Sequence, residues 1–130
     1  MTGEGATDTN AEVLREVLDA FNRHDLDSIM RWFSEDAVFE SPRGPDPWGT
    51  RYEGREAVRA GLAKRFEGIP DVHYGDDRHF LAGDRAVSEW TLTGTTTAGE
   101  RIEVRGCDLW ELRDGLITRK DSYWKRVDPQ

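Results

Sequence analysis

The chain has 130 residues with 26 acidic and 18 basic side chains, a formal net charge of −8. That length suits one domain and is too short for two ordinary ones, and the acidic balance excludes nucleic acid and anionic membrane as expected partners, because both demand clustered Lys and Arg. The single Cys107 has no internal partner, the start carries no basic apolar leader, and no run is apolar enough to cross a bilayer, so the expected location is the cytoplasm.

Residues 1–9 are small and polar and read as a disordered leader, with a single domain over 10–130. From Ala11 onward Val13, Leu14, Val17, Leu18 and Phe21 recur at helical spacing, with Thr9 or Asn10 as cap. Asn22-Arg23-His24 breaks that helix. Asp25 caps a second, short one whose stripe is Leu26, Ile29, Met30 and Phe33, ended by Ser34-Glu35-Asp36. Ala37 to Ser41 reads as a first strand. The next nine residues hold three prolines and two glycines, so Pro42 to Thr50 is a loop, with Trp48 a candidate lid. A third helix carries Val58, Leu62, Phe66 and Ile69 on one side and stops at Gly68 and Pro70. The second half alternates: Val72–Phe80, Ala86–Gly94, Arg101–Leu112 and Leu116–Val127 are strands, joined by hairpin turns at Ala82-Gly83-Asp84, Ala98-Gly99-Glu100 and Asp114-Gly115. The order describes an α+β domain in which a curved antiparallel sheet wraps around three N-terminal helices and leaves a pocket at its open end.

Only 36% of the residues are hydrophobic, and five tryptophans supply much of the buried area. Counting by twos, one side of the third long strand presents Val104, Gly106, Asp108, Trp110 and Leu112. If that side faces inward, Asp108 sits among apolar neighbours, and a buried carboxylate is paired, protonated or chemically employed. The residues leave two readings open: an acid/base group whose pKa is raised by desolvation if unpaired, or a structural acid bonded to a backbone amide, Ser41, Trp124 or Lys120. Lys120 is itself either an enolate-stabilising group or a solvated rim residue. His73 and His79 share strand parity, no third ligand stands at motif spacing, and both read as outer-face residues, so no metal is expected. Cys107 points away from Asp108.

The string Gly106 to Ile117, with Asp25-Leu26-Asp27-Ser28-Ile29, Phe33 to Phe39 and the helix entry Tyr52 to Val58, resembles the nuclear transport factor 2-like superfamily, in its SnoaL-like and ketosteroid isomerase-like branch. The resemblance implies a cone-shaped, cystatin-like α+β barrel with a deep pocket, and a homodimer through the outer sheet face. It also implies what is absent. The ketosteroid isomerase general base falls on Ser41, before Pro42, and the helix-one tyrosine on Val17, while the oxyanion-stabilising acid falls on Asp108. The polar residues of limonene epoxide hydrolase-like members fall on Trp90, Leu92 and Ser122. SnoaL-like polyketide cyclases carry a strand aspartate at the position of Asp108, but the histidine of their last strand is replaced here by Arg119-Lys120-Asp121-Ser122.

The expected site is therefore Asp108 as acid/base, in an aromatic pocket lined by Phe39, Ser41, Trp48, Trp90, Leu92, Trp110, Lys120, Ser122 and Trp124. Its expected partner is a small, largely apolar carbonyl compound, turned over by cofactor-independent chemistry of isomerase or cyclase type. The alternative is a non-catalytic module of the same fold that binds a small molecule. A protein-docking module is disfavoured by the charged outer positions Glu103, Arg105, Glu111, Arg119 and Asp121.

Overall fold

The computed structural model describes residues 3–129. Helices α1 (Gly3–Asn22) and α2 (Leu26–Met30) precede strand β1 (Phe33–Glu40) and a short β2 (Arg51–Glu53). Helix α3 (Arg55–Gly68) is followed by β3 (His73–Ala82), β4 (Arg85–Thr95), β5 (Arg101–Arg113) and β6 (Leu116–Trp124). One six-stranded sheet has the order β2-β1-β6-β5-β4-β3. No helix among the described residues is long and apolar enough to cross a membrane.

Local chemistry explains most boundaries. Positive φ at His24 (56°) ends α1, and the Asp25 carboxylate accepts from the Ser28 amide at 3.2 Å to start α2. Asp114 and Gly115 take φ of 52° and 77°, the pair of positive values a tight hairpin turn needs. The helices cover the inner face of the sheet: Leu14, Val17 and Phe21 of α1, Ile29 and Met30 of α2 and Val58 and Leu62 of α3 meet Phe39, Tyr74, Trp90, Leu92, Trp110 and Ile117 in one buried cluster.

The structure corrects the sequence reading in four places. Helix α1 begins at Gly3, so order starts well before Asn10; Met1 and Thr2 lie outside the described residues. The early turns are tied down. The Thr7 hydroxyl accepts from the Gly83 amide at 3.0 Å, and Asn10, buried inside the helix instead of capping it, donates to the Gly83 carbonyl at 2.8 Å and to Asp84 at 3.1 Å. Phe33 to Asp36 is strand, because β1 lies beside β6 with Phe33 opposite Ile117. That pairing is parallel, so the sheet is mixed instead of wholly antiparallel. Finally, β3 carries a bulge between Gly75 and Arg78, with Asp76 at φ 50°. One extra residue reverses which side chains face inward: Tyr74 faces inward before it, and His79, opposite the buried Ser88, faces inward after it.

Gly106 fixes the next layer. It stands opposite Trp90, and a Cβ there would come within 2.5 Å of the indole and 2.6 Å of the Tyr123 carbonyl. The missing side chain leaves room for the indole against β5, two residues from Asp108. We predict that Gly106→Ala lowers stability by about 1–3 kcal/mol through overpacking, measured by denaturant unfolding; an unchanged midpoint would show that the close approach is not required.

Candidate functional site

Asp108 sits mid-strand in β5, opposite Ser88 of β4 and Ser122 of β6, and is 4% exposed. Three side-chain donors converge on its carboxylate. Trp90 Nε1 donates to Oδ2 at 2.9 Å, Lys120 Nζ donates to Oδ1 at 2.9 Å, and the Ser122 hydroxyl donates to the same Oδ1. Lys120 Nζ also donates to Ser122 Oγ at 2.7 Å, closing a small ring of polar groups. The ammonium is flanked by aromatic faces, 4.9 Å from the ring centre of Phe39, 5.4 Å from Phe21 and 5.6 Å from Trp110. Such faces attract a cation and replace part of its hydration. Lys120 is thus a buried partner of Asp108, the ion-paired alternative among the sequence readings, and not a solvated rim residue. Asp108 is paired, which removes the isolated, desolvated acid.

A second polar chain borders the first. Trp110 Nε1 donates to Ser88 Oγ at 2.8 Å; the same oxygen is 2.7 Å from His79 Nδ1, and His79 Nε2 is 3.1 Å from Asp77 Oδ2. The outer-face assignment of His79 is therefore wrong. The bulge in β3 turned it inward, and the sequence did carry a signal: Gly75-Asp76-Asp77 is a turn-like cluster inside an alternating run. His73, before the bulge, remains exposed.

Two cavities of about 10 Å³ each adjoin these groups, space for about one water. The first reaches Val17, Leu18, His79, Ser88, Asp108 and Trp110, the second Phe39, Pro42, Arg65, Ser122 and Trp124; Phe21, Tyr74, Trp90 and Lys120 border both. The expected aromatic walls are present but touch one another. Tyr74 meets Trp90 edge-on at 5.0 Å and Phe21 at 5.7 Å, filling the space predicted to be open. Arg65 lies over the Trp124 ring at 4.3 Å and borders the second cavity. Burial pushes the Tyr74 phenol well above the ordinary tyrosine range, a rise that the nearby Arg65 charge opposes.

Of the sequence-predicted site, Asp108, Phe39, Trp90, Trp110, Lys120, Ser122 and Trp124 come together. Three residues do not. Leu92 is fully buried in the core and borders neither cavity. Ser41 donates to the Arg43 carbonyl at 2.7 Å, holding its own loop. Trp48 lies under the Arg51 guanidinium at 4.4 Å, and Arg51 pairs at 2.8 Å with Glu40, 1% exposed, which also holds Arg119. Glu40 alternates with the inward-facing Phe39, so this cluster belongs to the opposite sheet face and Trp48 is not a lid over the cavities. The residues missed by sequence reasoning are Tyr74, His79, Ser88 and Arg65. Among the described residues no group of three or more His, Cys, Asp or Glu side chains is arranged to hold a metal.

The sequence profile of the SnoaL-like domain matches residues 14–120. An uncharacterized PhzA/B-like protein of Pseudomonas aeruginosa is 28% identical over 95 residues, 71% of this chain and 67% of that one. Among solved structures, a protein named as a candidate polyketide cyclase from Xanthomonas campestris pv. campestris superposes with a TM-score of 0.82 at 22% identity, over 92% of this chain and 93% of the other. An NTF2-like protein of unknown function from Mesorhizobium loti gives 0.76 at 30% identity, with the same shares covered. These likenesses bear out the fold and superfamily expected from the sequence.

Asp108→Leu or Lys120→Met alone leaves the other charge buried without its partner and is expected to cost about 3–5 kcal/mol. The double variant should be more stable than either single one in denaturant unfolding; a double variant no better than the worse single would show that the two charges do not interact. For Tyr74, a folded-state pKa above the unfolded value of about 10 means that its contribution is complete below pH 10 and falls as pH rises beyond it. In an alkaline absorbance titration Tyr74 should ionise last of the three tyrosines, together with unfolding; ionisation of all three in a protein that stays folded would contradict this.

Proposed function

That this chain belongs to the SnoaL-like domain family is the premise from which we propose acid/base chemistry on a small, flat, apolar carbonyl compound, of isomerase or cyclase type. The observation that carries the reading is the Asp108–Lys120 pair, buried on the inner face of the sheet beside two cavities. A buried ion pair is a poor way to stabilise a core, since well-packed apolar residues commonly do as well or better. Such a pair beside a cavity is more readily explained by chemistry.

The roles follow from charge. Lys120 Nζ donates to the carbonyl oxygen and stabilises the negative charge that develops when the adjacent carbon loses a proton. Asp108 accepts that proton and returns it to the same or a neighbouring carbon. Trp90 and Ser122 hold the carboxylate in place through Oδ2 and Oδ1. The ligand gains access by displacing Arg65 and Trp124 from the end of the second cavity, and stacks between Phe39 and Trp90. The steroid isomerase arrangement is not part of this reading, because Ser41 and Val17 stand where its base and tyrosine would be. The name given to the Xanthomonas campestris relative agrees with the proposed reaction class.

A second reading is favoured by one observation. Every buried side-chain nitrogen and oxygen among the described residues has a partner, so no buried polar group is left unpaired for a reacting atom, which suits a small-molecule-binding module of the same fold that does not turn its ligand over. α-Proton exchange in D2O separates the two, followed by NMR with a panel of flat ketones (2-indanone, 2-tetralone and flavanone). The wild type should accelerate exchange over buffer, and Asp108→Asn and Lys120→Met should each lose about 100-fold or more of that rate. Shifts of the Trp90 and Trp124 indole signals without exchange would select the non-catalytic reading. No binding and no exchange would contradict both.

A further inference from the structure

Exchange of a proton at the buried ion pair with solvent needs a route to the surface. Asp108 and Lys120 are both at most 6% exposed in their side chains, so a proton taken from a ligand has no direct way to solvent. Asp77 is 43% exposed and His79 15% in their side chains, and Ser88 is 2% exposed. The three are linked in sequence from surface to interior by the 3.1 Å and 2.7 Å contacts of the two imidazole nitrogens. His79, Ser88, Asp108 and Lys120 all border the first cavity, which has a volume of about 10 Å³.

We infer that Asp77, His79 and Ser88 form a proton path between solvent and the buried Asp108–Lys120 pair, with His79 as its positioning residue. This rests on the acid/base reading. The path's resting form has His79 as the neutral imidazole. An ionised Asp77 can only accept, so in this form Nε2 carries the hydrogen and Nδ1 is bare. Ser88 Oγ receives the Trp110 Nε1 hydrogen on one lone pair and gives its own hydrogen to Nδ1.

Movement of one proton outward then balances without a co-reactant. Asp108, having taken the proton from the ligand, passes it through one water in the first cavity to Ser88 Oγ, as the Ser88 hydrogen passes to His79 Nδ1. The Nε2 hydrogen passes to Asp77 and from there to water. The path is left with His79 in the opposite tautomer, and one proton travelling inward by the reverse steps restores it. Isomerisation by Asp108 alone can return the same proton; exchange of that proton with solvent needs this sequence, one proton out and one back. From α1 the cavity receives only Leu14, Val17, Leu18 and Phe21, none of which carries an exchangeable side-chain proton, so β3 and β4 supply the route.

The experiment uses the full chain as wild type, His79→Gln and Asp77→Asn. Without ligand, the ¹⁵N-histidine spectrum should show His79, identified by its loss in His79→Gln, with hydrogen on Nε2 and a bare Nδ1; in Asp77→Asn the two tautomers should mix. Hydrogen on Nδ1 in the wild type would overturn the path. With a ketone from the panel that exchanges in the wild type, both variants should lose about 10- to 100-fold of the solvent-exchange rate while the Kd for that ketone stays within about two-fold, a split that a structural role would not give. Exchange at the wild-type rate, or loss of binding along with exchange, would overturn the path while leaving the roles of Asp108 and Lys120 intact. Absence of wild-type exchange with every ketone would sink the acid/base reading itself. The tautomer measurement does not depend on any ketone, so the two failures are distinguishable.

Discussion

The pairing of Asp108 with Lys120 is the constraint around which this interior is organised. Either charge alone, placed between Trp90, Trp110 and Phe39, would be strongly disfavoured. Together they need each other and a full set of further partners: an indole N–H, a hydroxyl and three aromatic faces. Those partners come from α1, β1, β4, β5 and β6, so meeting the electrostatic requirement constrains how α1 lies on the sheet. The register between β4, β5 and β6 follows, with Ser88, Asp108 and Ser122 aligned across three strands.

Smaller features serve that alignment. Gly106 lets the Trp90 indole lie close enough to β5 for its N–H to reach the carboxylate. The bulge in β3 brings His79 to the inner face opposite Ser88, so a second polar chain adjoins the first. On the opposite face Glu40 is buried between Arg51 and Arg119 and ties β1 to β2 and β6. The two faces are thus chemically different. Outward Glu40 is buried but its partners Arg51 and Arg119 are about one-third exposed. Inward both members of the Asp108–Lys120 pair are at most 6% exposed, and its geometry matters correspondingly more.

Much of this was legible in the sequence. Alternation along Val104 to Leu112 placed Asp108 inward among apolar residues, and the Asp114-Gly115 turn set the hairpin that brings Ser122 opposite it. Periodicity in α1 identified Leu14, Val17 and Phe21 as core. What failed has physical causes. The parallel neighbour of β1 is a long-range pairing that no local pattern encodes. A Lys in an alternating strand is usually at a rim, and only the position of Asp108 across the β5–β6 hairpin makes Lys120 a core residue. His79 was misplaced because one extra residue at Gly75-Asp76-Asp77 reverses the alternation beyond it. The cavity size depends on how Tyr74, Phe21 and Trp90 pack together, and composition alone could not show that these rings meet instead of lining an open pocket.

The account stands or falls on whether the interior opens to admit a ligand at the ion pair. A crystal structure of the full chain soaked with 2-tetralone tests this most directly. The account predicts the carbonyl oxygen within about 3.2 Å of Lys120 Nζ, the adjacent carbon facing Asp108, and Arg65 and Trp124 displaced from their present contact. A ligand bound elsewhere, with Arg65 still over Trp124 and the Asp108, Lys120 and Ser122 ring unchanged, would contradict it.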